Sequence, residues 1–387
     1  MLKISQHVLF ISGLQIGYLL LSPPSAWAKS DTGMLSIERK YETAVKSEVV
    51  PGISAAIADR SGVLWSKAFG LADVENSVQM TPSHKMRIGS VAKLITAAGM
   101  MRLFEQQKLS LDTPITKYVS TWPKKHEPLT LRQLASHTAG VRHYASTKEF
   151  LLNQPFKDVT SSLSLFKDDP LLFSPGSDHE YSTFAYSLIA AAMEGADQKR
   201  DFKQIITQEV FEPIDMQETA FDNQADIIAL RQRPYTVKNG ILFNAPQSDH
   251  SYKYAGGGFI ASAADVARFA VAHSFPGYLS QESLNLLFTK ATLDDGTILP
   301  FGISWMIDFD NYRERKYYIN NTYAQTMMAS FNNVAMHSGG SNGGLTMMIL
   351  CIEHSRAVTV VKNVDNEYSA DVFLLALESL YHFHSKN

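Results

Sequence analysis

The sequence predicts an α+β fold: an antiparallel sheet built from both chain ends and flanked by helices, with a mostly helical lobe between its two halves. Three observations carry this expectation. Two short strand patterns, Ile53 to Ala58 and Val63 to Phe69, flank the turn Asp59-Arg60-Ser61-Gly62, which makes a hairpin near the start. A second hairpin, Leu345 to Ile352 with Ala357 to Val361 around Glu353-His354-Ser355-Arg356, lies near the end. Between them, from Ser90 to about Pro300, long stretches read as helix.

Taken in order, residues 1–28 have the form of a secretory signal. Lys3 precedes an apolar run from Val8 to Leu21, and Pro23 and Pro24 lead to the small-x-small site Ala26-Trp27-Ala28. The mature chain is expected to begin near Lys29 and to reside in the periplasm, with no stable membrane span, because an anchor needs a run of ~20 apolar residues. Residues 29–50 form the lead-in, an amphipathic helix with Leu35, Ile37, Tyr41, Ala44 and Val45, closed by Pro51-Gly52. Residues 51–387 form one domain. A last helix is expected from Glu367 to about His382.

Composition narrows the function. The chain has 387 residues, 45% of them hydrophobic, with 35 basic against 38 acidic side chains. It has the material for a large core and no strong field, and the short clusters Arg231-Gln232-Arg233 and Arg313-Glu314-Arg315-Lys316 read as solvated faces, so nucleic acid is not an expected partner. A single cysteine, Cys351, rules out an intramolecular disulfide and reads as a packed strand residue.

The chemistry is concentrated at Ser90-Val91-Ala92-Lys93. From Val91 to Phe104 the residues are apolar almost all round, so the helix they form is buried. Lys93 lies one turn after Ser90, on the same side. Burial disfavours the ammonium, so Lys93 is expected to offer a neutral amine that activates the Ser90 hydroxyl as a nucleophile. The helix start adds backbone N–H groups that favour the developing oxyanion. Ser-x-x-Lys alone is weak, since roughly one is expected by chance in a chain of this length. A second copy, Ser164-Leu165-Phe166-Lys167, runs into Asp168-Asp169-Pro170 and reads as an exposed helix end.

Further motifs follow in a fixed order: Arg87 to Lys93, Leu129 to Leu134 with Ser136 to Gly140, Pro175-Gly176 before Tyr181-Ser182-Thr183, Ala255 to Phe259, and His337-Ser338-Gly339-Gly340. In this the chain resembles class C β-lactamase-like serine hydrolases of the penicillin-binding protein superfamily, over roughly Pro51 to Val361. Val141 to Tyr144, Leu165 to Leu171 and Ser251 to Gly258 are similar to the mitochondrial-type subgroup.

The resemblance implies a β-lactamase/transpeptidase-like fold, Ser90 as acylated nucleophile, Lys93 as its base and Tyr181 as a proton relay. That relay needs a cation nearby to act at neutral pH, because a free tyrosine has pKa ~10. The resemblance also implies an inner-strand substrate site at His337, Ser338 and Gly339, and an oxyanion hole from the backbone of Ser90 and Gly340. His337 stands where penicillin-directed enzymes usually carry lysine, and it would be a pH-dependent cation with unperturbed pKa ~6.5. Thr183 replaces the superfamily's asparagine and offers a single hydroxyl to a substrate amide.

The expected activity is hydrolysis of a small peptide, amide or ester through a Ser90 acyl-enzyme. The alternatives are D,D-carboxypeptidase or β-lactamase activity, or a binding module that acylates without turnover. No metal or organic cofactor is implied, and His137, His143 and His179 match no zinc spacing. Gly339-Gly340-Ser341-Asn342-Gly343 fits a nucleophile elbow on Ser341, which would require strand, sharp turn and helix in that order. The loops Asp222 to Asn244 and Asp308 to Phe331 are the candidates for setting specificity.

Overall fold

The computed structural model describes residues 26–47, 49–126, 128–366 and 370–384. Most of the signal-like segment lies outside them. Helix α1 (Ala26–Ser47) leads into strands β1 (Gly52–Asp59) and β2 (Gly62–Asp73), joined by the expected turn. Asp59 fixes that turn by accepting from the Ser61 backbone N–H (2.8 Å) and hydroxyl (2.6 Å). Of the predicted apolar stripe on α1, Ile37, Tyr41 and Ala44 are buried while Leu35 is exposed.

Seven strands make the main sheet. Besides β1 and β2 they are β3 (Val78–Gln79), β7 (Met306–Ile307), β8 (Val334–Ser341), β9 (Gly344–Cys351) and β10 (Arg356–Lys362), in the order β3-β2-β1-β10-β9-β8-β7. The two chain ends meet where β1 pairs antiparallel with β10, Ile53 opposite Lys362. This is the predicted join of two hairpins.

Alternation along the strands gives the sheet two apolar faces. Ile53, Ala55 and Ile57 of β1, with Met347, Ile349 and Cys351 of β9, face α1 and the last helix α5 (Val372–His384). Ala56, Ala58, Met348 and Leu350 face the helical lobe. Cys351 is a buried free cysteine, as expected of a packed strand residue. Helix α5 begins later than Glu367. Asp371 accepts from the backbone N–H groups of Phe373 (2.9 Å) and Leu374 (3.2 Å) and so sets the start.

The lobe is built around α2 (Ala92–Glu105), α3 (Phe184–Asp197) and α4 (Ala263–Ala272). It also holds a small sheet that its helical patterns did not announce: β4 (Met86–Arg87), β5 (Thr219–Phe221) and β6 (Phe259–Ala261), in the order β4-β6-β5. Pairing of β4 with β6 ties the start of α2 to the chain just after Gly256-Gly257-Gly258.

One close approach locks lobe to sheet. A Cβ on Gly339 of β8 would stand 2.0 Å from the Ile88 carbonyl oxygen and 3.1 Å from the Ser90 nitrogen, and one on Gly89 would stand 2.7 Å from the Gly340 carbonyl oxygen. Gly89 also has φ +52°, which favours glycine. Gly339→Ala is expected to lower stability by about 1–3 kcal/mol through overpacking and to slow acylation of Ser90. Denaturant unfolding and the rate of fluorophosphonate labelling check both effects.

Candidate active site

Ser90 lies in a 3-10 turn, Gly89–Val91, that runs directly into α2. Every residue of α2 from Ala92 to Met101 is buried, so Lys93 enters the interior with its helix. Its Nζ contacts Ser90 Oγ (3.1 Å), Thr183 Oγ1 (3.1 Å) and the Gly256 carbonyl oxygen (2.7 Å). A neutral amine has two N–H donors and one lone pair. Three oxygen partners can serve either form: an ammonium donates to all three, and a neutral amine donates to the carbonyl and one hydroxyl while its lone pair accepts from the other.

Electrostatics favour the neutral form. Burial holds the Lys93 ammonium well below its ordinary pKa, and the charge of Lys253 adds to the effect. The Gly256 carbonyl reaches Lys93 because position 256 has no side chain, since a Cβ there would meet Thr183 Cγ2 at 2.5 Å. Thr183 Oγ1 also bonds the Tyr144 phenol, so the hydroxyl foreseen for a substrate amide holds the base in place while Thr183 lines the pocket.

Tyr181 stands beside the pair. Its hydroxyl shares a hydrogen bond with Ser90, and Lys93 Nζ lies 4.8 Å from the centre of its ring. Burial pushes the phenol upward from its ordinary pKa and outweighs the Ser90 bond. The expected lowering by a nearby cation is absent, because Lys93 itself is held neutral and approaches the ring face. Tyr181 is therefore a neutral hydroxyl. Its ring packs on His137 (4.4 Å between centres), whose Nδ1 accepts from the Ser182 backbone N–H (3.2 Å). His143 Nδ1 accepts from the Thr183 backbone N–H (3.1 Å). These histidines shape the Tyr181-Ser182-Thr183 segment, and among the described residues no group of three or more His, Cys, Asp or Glu could hold a metal ion.

The inner strand departs from expectation in two respects, the first being that His337, Ser338 and Gly339, expected to take the substrate, do not line the pocket that Ser90 opens into. His337 is buried, and desolvation, with Lys93 nearby, pushes its imidazole down to about 4. Its Nδ1 pairs with the Ser338 carbonyl. His337 is thus no cation at neutral pH, which corrects the expectation of a switch near 6.5. The pocket wall on this side is Gly340 and Ser341. Arg87 braces it, bonding Asp222 (2.8 Å) and the Asn342 carbonyl (2.7 Å).

Ser90 opens into a pocket of about 340 Å³, lined also by His143, Tyr144, Phe150, Tyr181, Thr183, Lys253 and Gly256. A larger hollow, about 700 Å³, holds neither Ser90 nor Lys93. Neither loop named for specificity lines the site. Tyr312, Tyr318 and Phe331 of the second belong to the core, and Asp222 of the first pairs with Arg87 and His250. Residues 143–150 take their place. Sequence reasoning also passed over Lys253. Its signal was a lysine between Tyr252 and Tyr254, just ahead of a glycine run.

Both rival serines are structural. Ser164 bonds the Ser161 carbonyl (2.7 Å) while Lys167 pairs with Asp168 (2.7 Å) at the surface. Ser341 ends β8, and the two-residue turn Asn342-Gly343 leads into β9 and no helix, which excludes a nucleophile elbow.

This fold and site define a serine hydrolase of the β-lactamase and penicillin-binding protein superfamily. A family model described as Beta-lactamase matches residues 37–380, and the chain belongs to that family. It is similar to the human mitochondrial serine beta-lactamase-like protein LACTB, 28% identical over 408 aligned positions that cover 83% of this chain and 72% of the human one. Among solved structures it is similar to the D-amino acid amidase of Ochrobactrum anthropi SV3, with TM-score 0.73 and 17% identity, covering 92% of this chain and 99% of the amidase. The octameric penicillin-binding protein homologue of Pyrococcus abyssi gives TM-score 0.72 and 21% identity, covering 92% and 78%. At these identities the two structures show the shared fold.

Two outcomes follow from the electrostatics. Lys93→Arg is expected to abolish fluorophosphonate labelling, because a guanidinium keeps its proton and cannot serve as base. Imidazole NMR across a pH titration is expected to place the His337 midpoint at about 4. A midpoint near 6.5 contradicts the burial argument.

Proposed function

We propose that the protein hydrolyses small amide or ester substrates, peptides among them, through an acyl-enzyme on Ser90. The observation that carries this reading is the buried Lys93 amine 3.1 Å from Ser90 Oγ. Ser90 Oγ attacks the substrate carbonyl as its proton passes to Lys93 Nζ. The carbonyl oxygen becomes an oxyanion beside the backbone of Ser90 and Gly340, whose approach is fixed by Gly89 and Gly339. The leaving amine or alcohol takes a proton through the Tyr181 hydroxyl, which Lys93 replenishes. Water then enters, loses a proton along the same route, and releases the acid from Ser90.

Amides and esters share this path because both end in an acyl carbonyl with a leaving group that needs a proton. The amidase among the structural neighbours supports the amide half. Export to the periplasm, with a mature start near Lys29, belongs to the same proposal and rests on the pattern of residues 1–28.

Intact-mass analysis after fluorophosphonate treatment is expected to show one adduct, on Ser90, that is lost in Ser90→Ala. An adduct that forms with substrate but persists on standing would instead favour a module that acylates without turnover. Tyr181→Phe is expected to lower kcat by about 10² or more, the usual size of a lost proton relay. In a panel of aminoacyl amides, D-amino-acid peptides, short esters and nitrocefin, efficient turnover of nitrocefin alone would contradict the assignment. Activity is expected to fall on the acid side as Lys93 takes up a proton, at a pH well below the 10.5 of a free lysine.

A further inference from the structure

Lys253 lines the pocket, and the acyl-transfer steps above leave it unused. It closes a 3-10 turn, Ser251–Lys253, that continues into Tyr254–Gly257, the turn whose Gly256 carbonyl holds Lys93. The residue is 3% exposed and lines the same pocket as Ser90. Three aromatic rings surround the ammonium: Phe150 at 4.3 Å, Tyr252 at 5.0 Å and Tyr144 at 5.7 Å from ring centre to Nζ. One N–H donates to the Phe150 carbonyl (3.0 Å). No carboxylate forms an ion pair with it among the described residues, and none lines the pocket.

A buried amine with spare donors and no counter-ion is costly to keep charged. Burial and Arg87 push Lys253 down to about 7, with Asp222 opposing them, so it is half charged near neutral pH. A carboxylate entering the pocket would complete its donors and supply the missing charge. No other lysine or arginine lines this pocket among the described residues, and the inner strand, where penicillin-directed relatives carry lysine, has a neutral His337. We propose that Lys253, framed by Phe150, Tyr252 and Tyr144, is the specificity-determining residue that anchors a carboxylate on the substrate while its acyl carbonyl lies at Ser90. The proposal rests on the hydrolase reading above and adds the substrate class: amides or esters that carry a free carboxylate.

The test compares matched probes in the full-length protein. Glutaric acid mono-4-nitroanilide against pentanoic acid 4-nitroanilide carries the charge in the acyl half. N-acetyl-4-aminobenzoate against acetanilide carries it in the leaving half. In the wild type, at least one acidic probe is expected to exceed its neutral partner in kcat/KM. Lys253→Met is expected to lower that advantage, read as the ratio of acidic to neutral kcat/KM, about tenfold or more, the usual worth of a hydrogen bond to a charged group, through the KM of the acidic probe. Equal losses on acidic and neutral probes, or no loss on either, would overturn the proposal. Direct binding of the same probes to Ser90→Ala by calorimetry separates this claim from the catalytic one. Tighter binding of an acidic probe there, weakened by adding Lys253→Met, supports the anchor even if no probe is turned over, whereas equal affinity for acidic and neutral probes rejects it. Should Lys253→Met fail to fold, the acidic preference of Ser90→Ala decides alone.

Discussion

The burial of Lys93 is the constraint on which the site depends. An amine carried into the lobe by α2 cannot keep a proton cheaply, because burial strips its water and the charge of Lys253 repels it. The fold meets it with three partners from three segments: Ser90 from the turn before α2, Thr183 from the turn before α3, and the Gly256 carbonyl. Burial favours the neutral amine, and these partners can satisfy it, so the geometry that holds Lys93 is also the one that aims it at the Ser90 hydroxyl. Structure and reactivity share one set of hydrogen bonds.

The rest of the architecture keeps those segments in register. The β4–β6 pairing joins the Ser90 turn to the chain that supplies Gly256, and the side-chain-free positions 89 and 339 let β8 come within reach of Ser90. Arg87 ties the β8–β9 turn to Asp222. Tyr181 is an uncharged hydroxyl in an apolar, histidine-lined setting, so in the proposed mechanism the proton passes through hydroxyl and amine with no standing phenolate. The neutral state of His337 follows from the same dryness.

Much of this was legible in the chain. The two terminal hairpins, the buried helix after Ser90 and the role of Cys351 follow from alternation, turn residues and all-round apolarity, which are local signals. What escaped depends on contacts distant in sequence. His337 reads as a switch until the lobe closes over it and removes its water. Thr183 reads as a substrate contact until Lys93 arrives 3.1 Å away. Lys253 carries no signal of its own within Ser251 to Gly258 until Phe150, Tyr144 and Tyr252 enclose it. Loops 222–244 and 308–331 stood as candidates for setting specificity because they carry no recognisable motif, yet their polar and aromatic side chains brace the pocket wall and fill the core between the sheet and its terminal helices.

The central claim is that Lys93 is an uncharged base in the resting protein, and the most direct measurement is NMR of the lysine side chains labelled at Cε and Nζ, with Lys93→Met used for assignment. At pH 9, where free lysine with pKa ~10.4 is still charged, the Lys93 signals are predicted to show the shifts of a neutral amine. Ammonium shifts that persist to the pH at which surface lysines titrate would contradict the account.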